Sequence, residues 1–174
     1  AQGPKLRAFN RLERGEINSL ILVGRYRVER WLARGGMASV FVGEELATGR
    51  GVAIKILDDR GEDTHHLLLR FIREACVGEQ IRHPNVVEIL DWGTTPEGVM
   101  YLVMELLHGE DLRTVIDREG CLSWTRTRKL MLQLCAAVEA VHRTGVVHCD
   151  LKPANCYLSP THSGAERLVL VDFG

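Results

Sequence analysis

Val147-His148-Cys149-Asp150-Leu151-Lys152-Pro153-Ala154-Asn155 sets four polar side chains in a segment that cannot be regular helix. Pro153 has no N–H to donate and steers Lys152 away from the α conformation. His148, Asp150, Lys152 and Asn155 are therefore expected on a loop, the usual place for catalytic groups. Asp150, beside Lys152, can orient a hydroxyl and accept its proton. Asn155, together with Asp172 at the end of the apolar run Leu168-Val169-Leu170-Val171, offers oxygen ligands of the kind Mg²⁺ prefers. This chemistry points to phosphoryl transfer.

The 174 residues leave room for one ordinary domain or two small lobes. A hydrophobic content of 45% with 26% charged residues suits a folded chain rather than a disordered one. The net charge of -1 gives no global pull toward nucleic acid or anionic membrane, and no nucleic-acid partner is expected. No apolar run approaches the length of a membrane span; Leu20-Ile21-Leu22-Val23 is far too short. Cys76, Cys121, Cys135, Cys149 and Cys156 are odd in number, scattered, and form no Cys-x-x-Cys pair. They are expected as reduced, mostly buried thiols of a cytosolic domain, not as disulfides or zinc ligands. The opening Ala1-Gln2-Gly3-Pro4 has no signal-peptide shape and no initiator Met, which suggests an excerpt of a longer protein.

Upstream of the loop the chain divides by pattern. Residues 1–24 carry Lys5, Arg7, Arg11 and Arg14 among Leu6, Phe9, Leu12 and Leu20 at loosely helical spacing. They are expected as a linker or a short helix packed on the domain, against the alternative of a basic amphipathic segment docking on a membrane or partner. Tyr26–Leu32 and Ser39–Val42 are β-type runs around the glycine-bearing tip Gly35-Gly36, which makes a hairpin. Such a tip is either an ordinary turn or a place where backbone amides approach phosphate oxygens. Gly51-Val52-Ala53-Ile54-Lys55-Ile56-Leu57 is a strand whose period of two puts Ala53 and Lys55 on one face. A Lys in such apolar company needs an anion, unless it snorkels to the surface.

Residues 63–82 read as a helix, with Leu67, Leu68, Phe71, Ile72 and Ala75 at three- and four-residue spacing. Glu74 falls along its apolar face and asks for a cation, for which Lys55 is the candidate; Glu79, beyond Gly78, is the weaker choice. His83-Pro84 ends the helix. Residues 86–92 and 100–105 are two more strands, joined by the turn from Gly93 to Gly98. They complete a five-stranded antiparallel sheet with one helix. A short helix begins near Leu112, and a longer one spans 123–144 with Leu130, Met131, Leu134, Val138 and Val141 as its core stripe; Met131 and Cys135 are read as packing. Cys156-Tyr157-Leu158 and Leu168–Val171 form a hairpin that delivers Asp172 beside Asn155.

His148-Cys149-Asp150-Leu151-Lys152-Pro153-Ala154-Asn155 resembles the catalytic loop of eukaryotic-type serine/threonine protein kinases, and Asp172-Phe173-Gly174 resembles their metal-binding triplet. Val52-Ala53-Ile54-Lys55 is similar to their third strand, and Leu32–Val40 to their phosphate-covering loop, with Ala33 and Ala38 in place of its first and third glycines. The ordered match runs from about Tyr26 to Gly174, and Gly35-Gly36-Met37-Ala38-Ser39-Val40 is similar to the same loop in bacterial members. The resemblance implies an α+β, protein-kinase-like fold: an N-lobe over 25–106, then a truncated, mainly helical C-lobe over 107–174.

It implies transfer of the ATP γ-phosphoryl to a protein Ser or Thr hydroxyl, with ATP and Mg²⁺ as cofactors. Asp150 would orient the hydroxyl, Lys152 neutralise the γ-phosphate, Lys55 set by Glu74 hold the phosphates, and Asn155 and Asp172 hold Mg²⁺. Leu32, Gly35, Gly36, Val40, Ala53 and Tyr157 would line the nucleotide. Met104 would guard the back of the adenine site, with Glu105 and Leu107 offering backbone groups to the purine. Asp111 would reach the ribose, its alternative being to cap the helix at Leu112. His148 and Phe173 would be structural. Lys55, Glu74, Asp150, Asn155 and Asp172 are thus expected around one metal–triphosphate cleft.

Two departures qualify the match. Cys149 stands where most members have an Arg that pairs with a phosphate on the activation segment, so readiness here is expected not to depend on that phosphate. Gly78 replaces a larger apolar side chain. A stretch ending at the triplet is expected to lack kinase activity alone. The rival readings are a nucleotide-binding pseudokinase and a small-molecule phosphotransferase of the aminoglycoside or choline type.

Overall fold

The computed structural model describes residues 4–35, 38–57, 64–161 and 164–172. Helix α1 (Pro4–Glu13) and strand β1 (Leu20–Leu22) precede β2 (Tyr26–Arg34), β3 (Ala38–Glu45), β4 (Arg50–Leu57), helix α2 (Thr64–Gln80), β5 (Ile89–Thr94) and β6 (Met100–Glu105). Then follow β7 (Glu110–Asp111), α3 (Leu112–Glu119), α4 (Trp124–His142), a single 3-10 turn at Pro153–Asn155, β8 (Cys156–Pro160) and β9 (Glu166–Leu170). The chain forms two compact units, one of residues 1–75 with 89–106, the other of 76–88 with 107–174.

In the first unit the strands pair antiparallel in the order β1-β2-β3-β4-β6-β5. The register sets Val40 and Leu102 opposite Lys55, and Val42 and Met104 opposite Ala53. Directly opposed residues share a face, so Val40, Ala53, Lys55 and Met104 lie together, as the period of two requires. The other face carries Phe41, Val52, Ile54, Ile56, Tyr101 and Val103 into a core closed by Phe9, Leu12, Leu22, Tyr26 and Val28.

That core corrects the reading of the sheet, and for residues 1–24 it matches the expected short packed helix, with a strand added. Among the described residues this sheet has six strands rather than five, because Leu20-Ile21-Leu22 pairs with β2 from Leu20↔Val28 to Leu22↔Tyr26. Phe9 and Leu12 of α1 are almost fully buried, Phe9 against the Phe41 ring at a centroid distance of 5.6 Å. The segment is a packed helix and strand. Burying a Phe side chain contributes about 1.5–3 kcal/mol, and Phe9 and Leu12 spend theirs on this core.

In the second unit, α3 starts at Asp111, whose carboxylate accepts from the Thr114 N–H at 2.9 Å and the Thr114 hydroxyl at 2.8 Å. Helix α4 starts at Ser123, which accepts from the Arg126 N–H. Strands β7, β8 and β9 form a three-stranded sheet. Gly109, at φ 130°, is required there: a Cβ would stand 2.0 Å from the Leu158 carbonyl oxygen.

Three expectations fail in detail. The strand expected over 86–92 begins only at Ile89; Val86 bridges Leu170, and the Val87 N–H donates to the Leu170 carbonyl at 3.0 Å, in the second unit. The buried line of α4 is Leu130, Ala137 and Val141, while Met131 and Cys135 are exposed. Met131 lies one residue, hence about 100° of rotation, round the helix from Leu130. All five thiols are free as expected, but Cys121, Cys135 and Cys149 are exposed and only Cys156 is fully buried. Burial pushes the Cys156 thiol pKa up.

Candidate active site

The functional side chains fall in two groups, one in each unit. In the first, the Lys55 ammonium donates to both Glu74 carboxylate oxygens, at 2.9 and 2.8 Å. Both residues are buried, Lys55 5% and Glu74 2% exposed. Strand β4 drives Lys55 inward because its neighbours are apolar; helix α2 buries Glu74 because it shares a face with Phe71 and Ala75, each fully enclosed. A buried ammonium is tolerable only with such a partner. Glu79 is exposed, and it is Glu74 that meets Lys55.

Around this pair, Ala53 and Met104 are buried, Val40 and Glu105 half-buried, and Leu32 exposed. Gly35 closes the tip of the β2–β3 hairpin through its N–H to the Ala38 carbonyl at 2.8 Å. Its φ is not in the left-handed region, and a Cβ would meet only the Ala38 oxygen at 3.6 Å, an ordinary contact. Folding alone does not demand glycine at 35. Gly36 lies outside the described residues, as does Phe173.

In the second unit, Asp150 is the hub of the loop. Its carboxylate Oδ2 accepts from Lys152 Nζ at 2.6 Å and from Asn155 Nδ2 at 3.0 Å. Asn155, 5% exposed, also donates from Nδ2 to the Asp150 carbonyl at 3.0 Å. The Lys152 ammonium, with help from the Asn155 amide, holds the Asp150 carboxyl below its usual range, so it is ionised at neutral pH. The Asp150 side chain is nonetheless 42% exposed and open to a reactant.

His148 fastens this loop from beneath. It is fully buried; its Nδ1 accepts from the Asp150 N–H at 3.3 Å. The proton therefore sits on Nε2, 3.2 Å from the Val171 carbonyl to which it donates. The Val171 N–H in turn donates to the Asn155 carbonyl at 2.9 Å, so the backbone leading into Asp172 is bonded to Asn155. Among the described residues only Val23, Cys149 and Asp172 are non-glycine with positive φ, and two of these flank the site, at 62° and 57°. Left-handed backbone of this kind is strained and is held only by its surroundings. Cys149 lies exposed, its thiol 3.4 Å from the Val147 carbonyl.

Asp111 acts as the helix cap just described, and its strand partner is Tyr157. The Tyr157 hydroxyl donates to the Gly109 carbonyl at 2.8 Å, and Leu107 is half-buried. Sequence reasoning missed Asn85 and Gln133. Asn85 Nδ2 donates to the Leu168 carbonyl (2.7 Å) and to Gln133 Oε1 (2.9 Å), which also accepts from the Leu168 N–H. This amide pair pins β9, and β9 leads to Asp172. The signal was a polar residue directly after His83-Pro84 and before two valines, read only as a helix stop.

A model of the family described as "Protein kinase domain" matches residues 26–174. The chain is 40% identical over 157 residues to serine/threonine-protein kinase pkn2 of Myxococcus xanthus, covering 90% of this chain and 19% of that protein. It is 36% identical over 157 residues to serine/threonine-protein kinase PknA of Mycobacterium tuberculosis, covering 88% and 36% respectively. The crystal structure of the Mycobacterium tuberculosis PknI kinase domain superposes with a TM-score of 0.75 at 26% identity, over 90% of this chain and 62% of that one. The chain thus spans between about a fifth and a third of the curated relatives quoted.

Proposed function

Because the chain belongs to the protein kinase domain family, we propose that it serves the ATP-dependent phosphorylation of serine or threonine hydroxyls on protein substrates. The observation that carries this is the Asp150 carboxylate: kept ionised by Lys152 and Asn155, yet open to solvent. A Ser or Thr hydroxyl donates its proton to Asp150 as its oxygen bonds to the γ-phosphorus and the bond to the ADP leaving oxygen breaks. The transition state is loose, so most of the rate comes from orientation and charge stabilisation. Lys152 then has two anions to serve, Asp150 and the γ-phosphate.

Lys55, oriented by both Glu74 oxygens, serves the α- and β-phosphates. Gly35 leaves its tip approachable, which supports a role in covering phosphates, together with Gly36. Leu32, Val40, Ala53, Met104 and Tyr157 line the base and sugar, with backbone groups of Glu105 and Leu107 to the purine and the Asp111 region at the ribose. Asn155 spends its amide nitrogen on Asp150, which turns its oxygen to use as a ligand. With the Asp172 carboxylate, that donor set suits Mg²⁺, which takes few protein ligands beside phosphate and water. Mg²⁺, when bound, supplies neutralisation of the triphosphate charge. The reading carries a cytosolic setting, supported by five free thiols. No helix among the described residues is long and apolar enough to cross a membrane.

The test is transfer of label from [γ-³²P]ATP, with the protein in its native sequence context, to Ser/Thr peptides, Tyr peptides, aminoglycosides and choline. Label on Ser/Thr peptides that Asp150→Asn abolishes is expected. Label on the small molecules, or ATP binding without any transfer, overturns the reading in favour of a small-molecule phosphotransferase or a pseudokinase.

A further inference from the structure

Arg34 is the last residue of β2 before the glycine-bearing tip, and it stands directly opposite Ser39, the second residue of β3. Its guanidinium bonds outward in two directions. Nη2 meets Glu13 Oε2 of α1 at 2.5 Å, and Nε donates to the buried Ser39 hydroxyl at 3.3 Å. Ser39 pairs with Ile56, which belongs to the core beneath α1, so Arg34, Ser39 and α1 share the sheet face opposite Lys55. A cleft lined by Phe9, Asn10, Glu13, Ser39, Phe41, Ile56 and Leu57, too narrow for more than a water, separates the last turn of α1 from the base of the hairpin. Helix α1 cannot drift from this place, because Phe9 and Leu12 anchor it.

We propose that α1 is a splint for the base of the β2–β3 hairpin: Glu13, through Arg34 and Ser39, holds the strand ends on one face, and so sets the affinity for the triphosphate approached from the other. Glu13 and Arg34 are positioning residues that touch no reactant. Holding the strand ends at Arg34 and Ser39 before the ligand arrives reduces the ordering that binding must impose. The affinity part rests on the kinase reading; the splint itself does not.

Two measurements test it. Hydrogen exchange at the Arg34, Gly35, Ser39 and Val40 amides is compared in the wild type, Glu13→Gln, Arg34→Glu and the charge-swapped double variant Glu13→Arg/Arg34→Glu. Affinity for mant-ATP·Mg²⁺ and the split between KM for ATP and kcat are followed in the same set. Glu13→Gln should speed exchange at those amides and raise the mant-ATP Kd and the KM roughly threefold, as losing a partly exposed ion pair allows. Arg34→Glu should do more, kcat should stay within about twofold, and the swap should restore both readouts. Unchanged exchange at the tip in both single variants overturns the splint. Faster exchange with an unaltered mant-ATP Kd overturns its link to the nucleotide. A wild-type protein that binds no mant-ATP defeats the kinase reading instead, and the exchange data then still judge the splint.

Discussion

The Lys55–Glu74 pair offers the sharpest energetic test. The ammonium meets both carboxylate oxygens within 2.9 Å, and the side chains are only 7% and 2% exposed, so solvent screens the pair little. Glu74→Gln keeps the volume but sets a neutral amide beside a buried cation. Removing one partner of such a pair costs about 3 kcal/mol or more. That is a large share of a total stability of about 5–15 kcal/mol. With a urea slope of about 2 kcal/mol per molar, the midpoint should fall by about 1.5 M.

Lys55→Met should cost a similar amount, because it strands the carboxylate. Measured beside Lys55→Met and Glu74→Leu alone, the double variant Lys55→Met/Glu74→Leu removes both charges and should lose far less than those two single losses together. The coupling read from the cycle should reach about 2 kcal/mol or more. Trp31 and Trp92, both in the first unit, report the transition by fluorescence. If the single losses add to the double loss within about 0.5 kcal/mol, the pair is not the strong buried contact described here.

Three further outcomes follow from the same geometry. Lys152→Ala should move the Asp150 carboxyl up toward its ordinary range, read by carboxyl ¹³C titration; an unmoved titration refutes the assignment of Lys152 as the main cause. A depressed native value stabilises the fold above the unfolded-state value and loses that contribution as pH falls through the native one. The variant should therefore show a smaller acid-side loss of stability. Asn155→Ala leaves the Asp150 carbonyl and Oδ2 without their amide donor and should cost about 1–3 kcal/mol in denaturant unfolding, a cost below 0.5 kcal/mol being the contrary result. Phe9→Ala empties a site fully enclosed against Phe41 and should cost about 3–5 kcal/mol; a loss under about 1 kcal/mol would favour the linker, the other of the two sequence readings, over the packed helix.

Much of the site was legible because its chemistry is local. His148, Asp150, Lys152 and Asn155 lie within eight residues, and Pro153 excludes the helix that would have scattered them. The partner of Lys55 was legible too, since period two in β4 and the apolar spacing of α2 each aimed one charge inward, and two buried opposite charges meet. Short apolar runs were read less well. Val86 and Val87 look like the start of the next strand, but hydrogen bonding with Leu170, far along the chain, claims them. Leu20-Ile21-Leu22 was weighed only as a membrane span and not as a strand, and it is one because β2 offers a free edge. On α4, Met131 was assigned to the core because apolar spacing does not say which flank of a stripe meets a neighbour.

The sequence by itself determined which side chains could do chemistry, which of them sit on loops, and the period of each strand and helix, because these depend on backbone sterics within a few residues. Only the tertiary structure decided that α1 covers the sheet face opposite Lys55, that Glu13 reaches Arg34, and that Asn85 and Gln133 fasten the strand leading to Asp172. Those contacts join residues 21 to 83 positions apart, and their partners are chosen by which surfaces packing leaves adjacent, something no local pattern encodes.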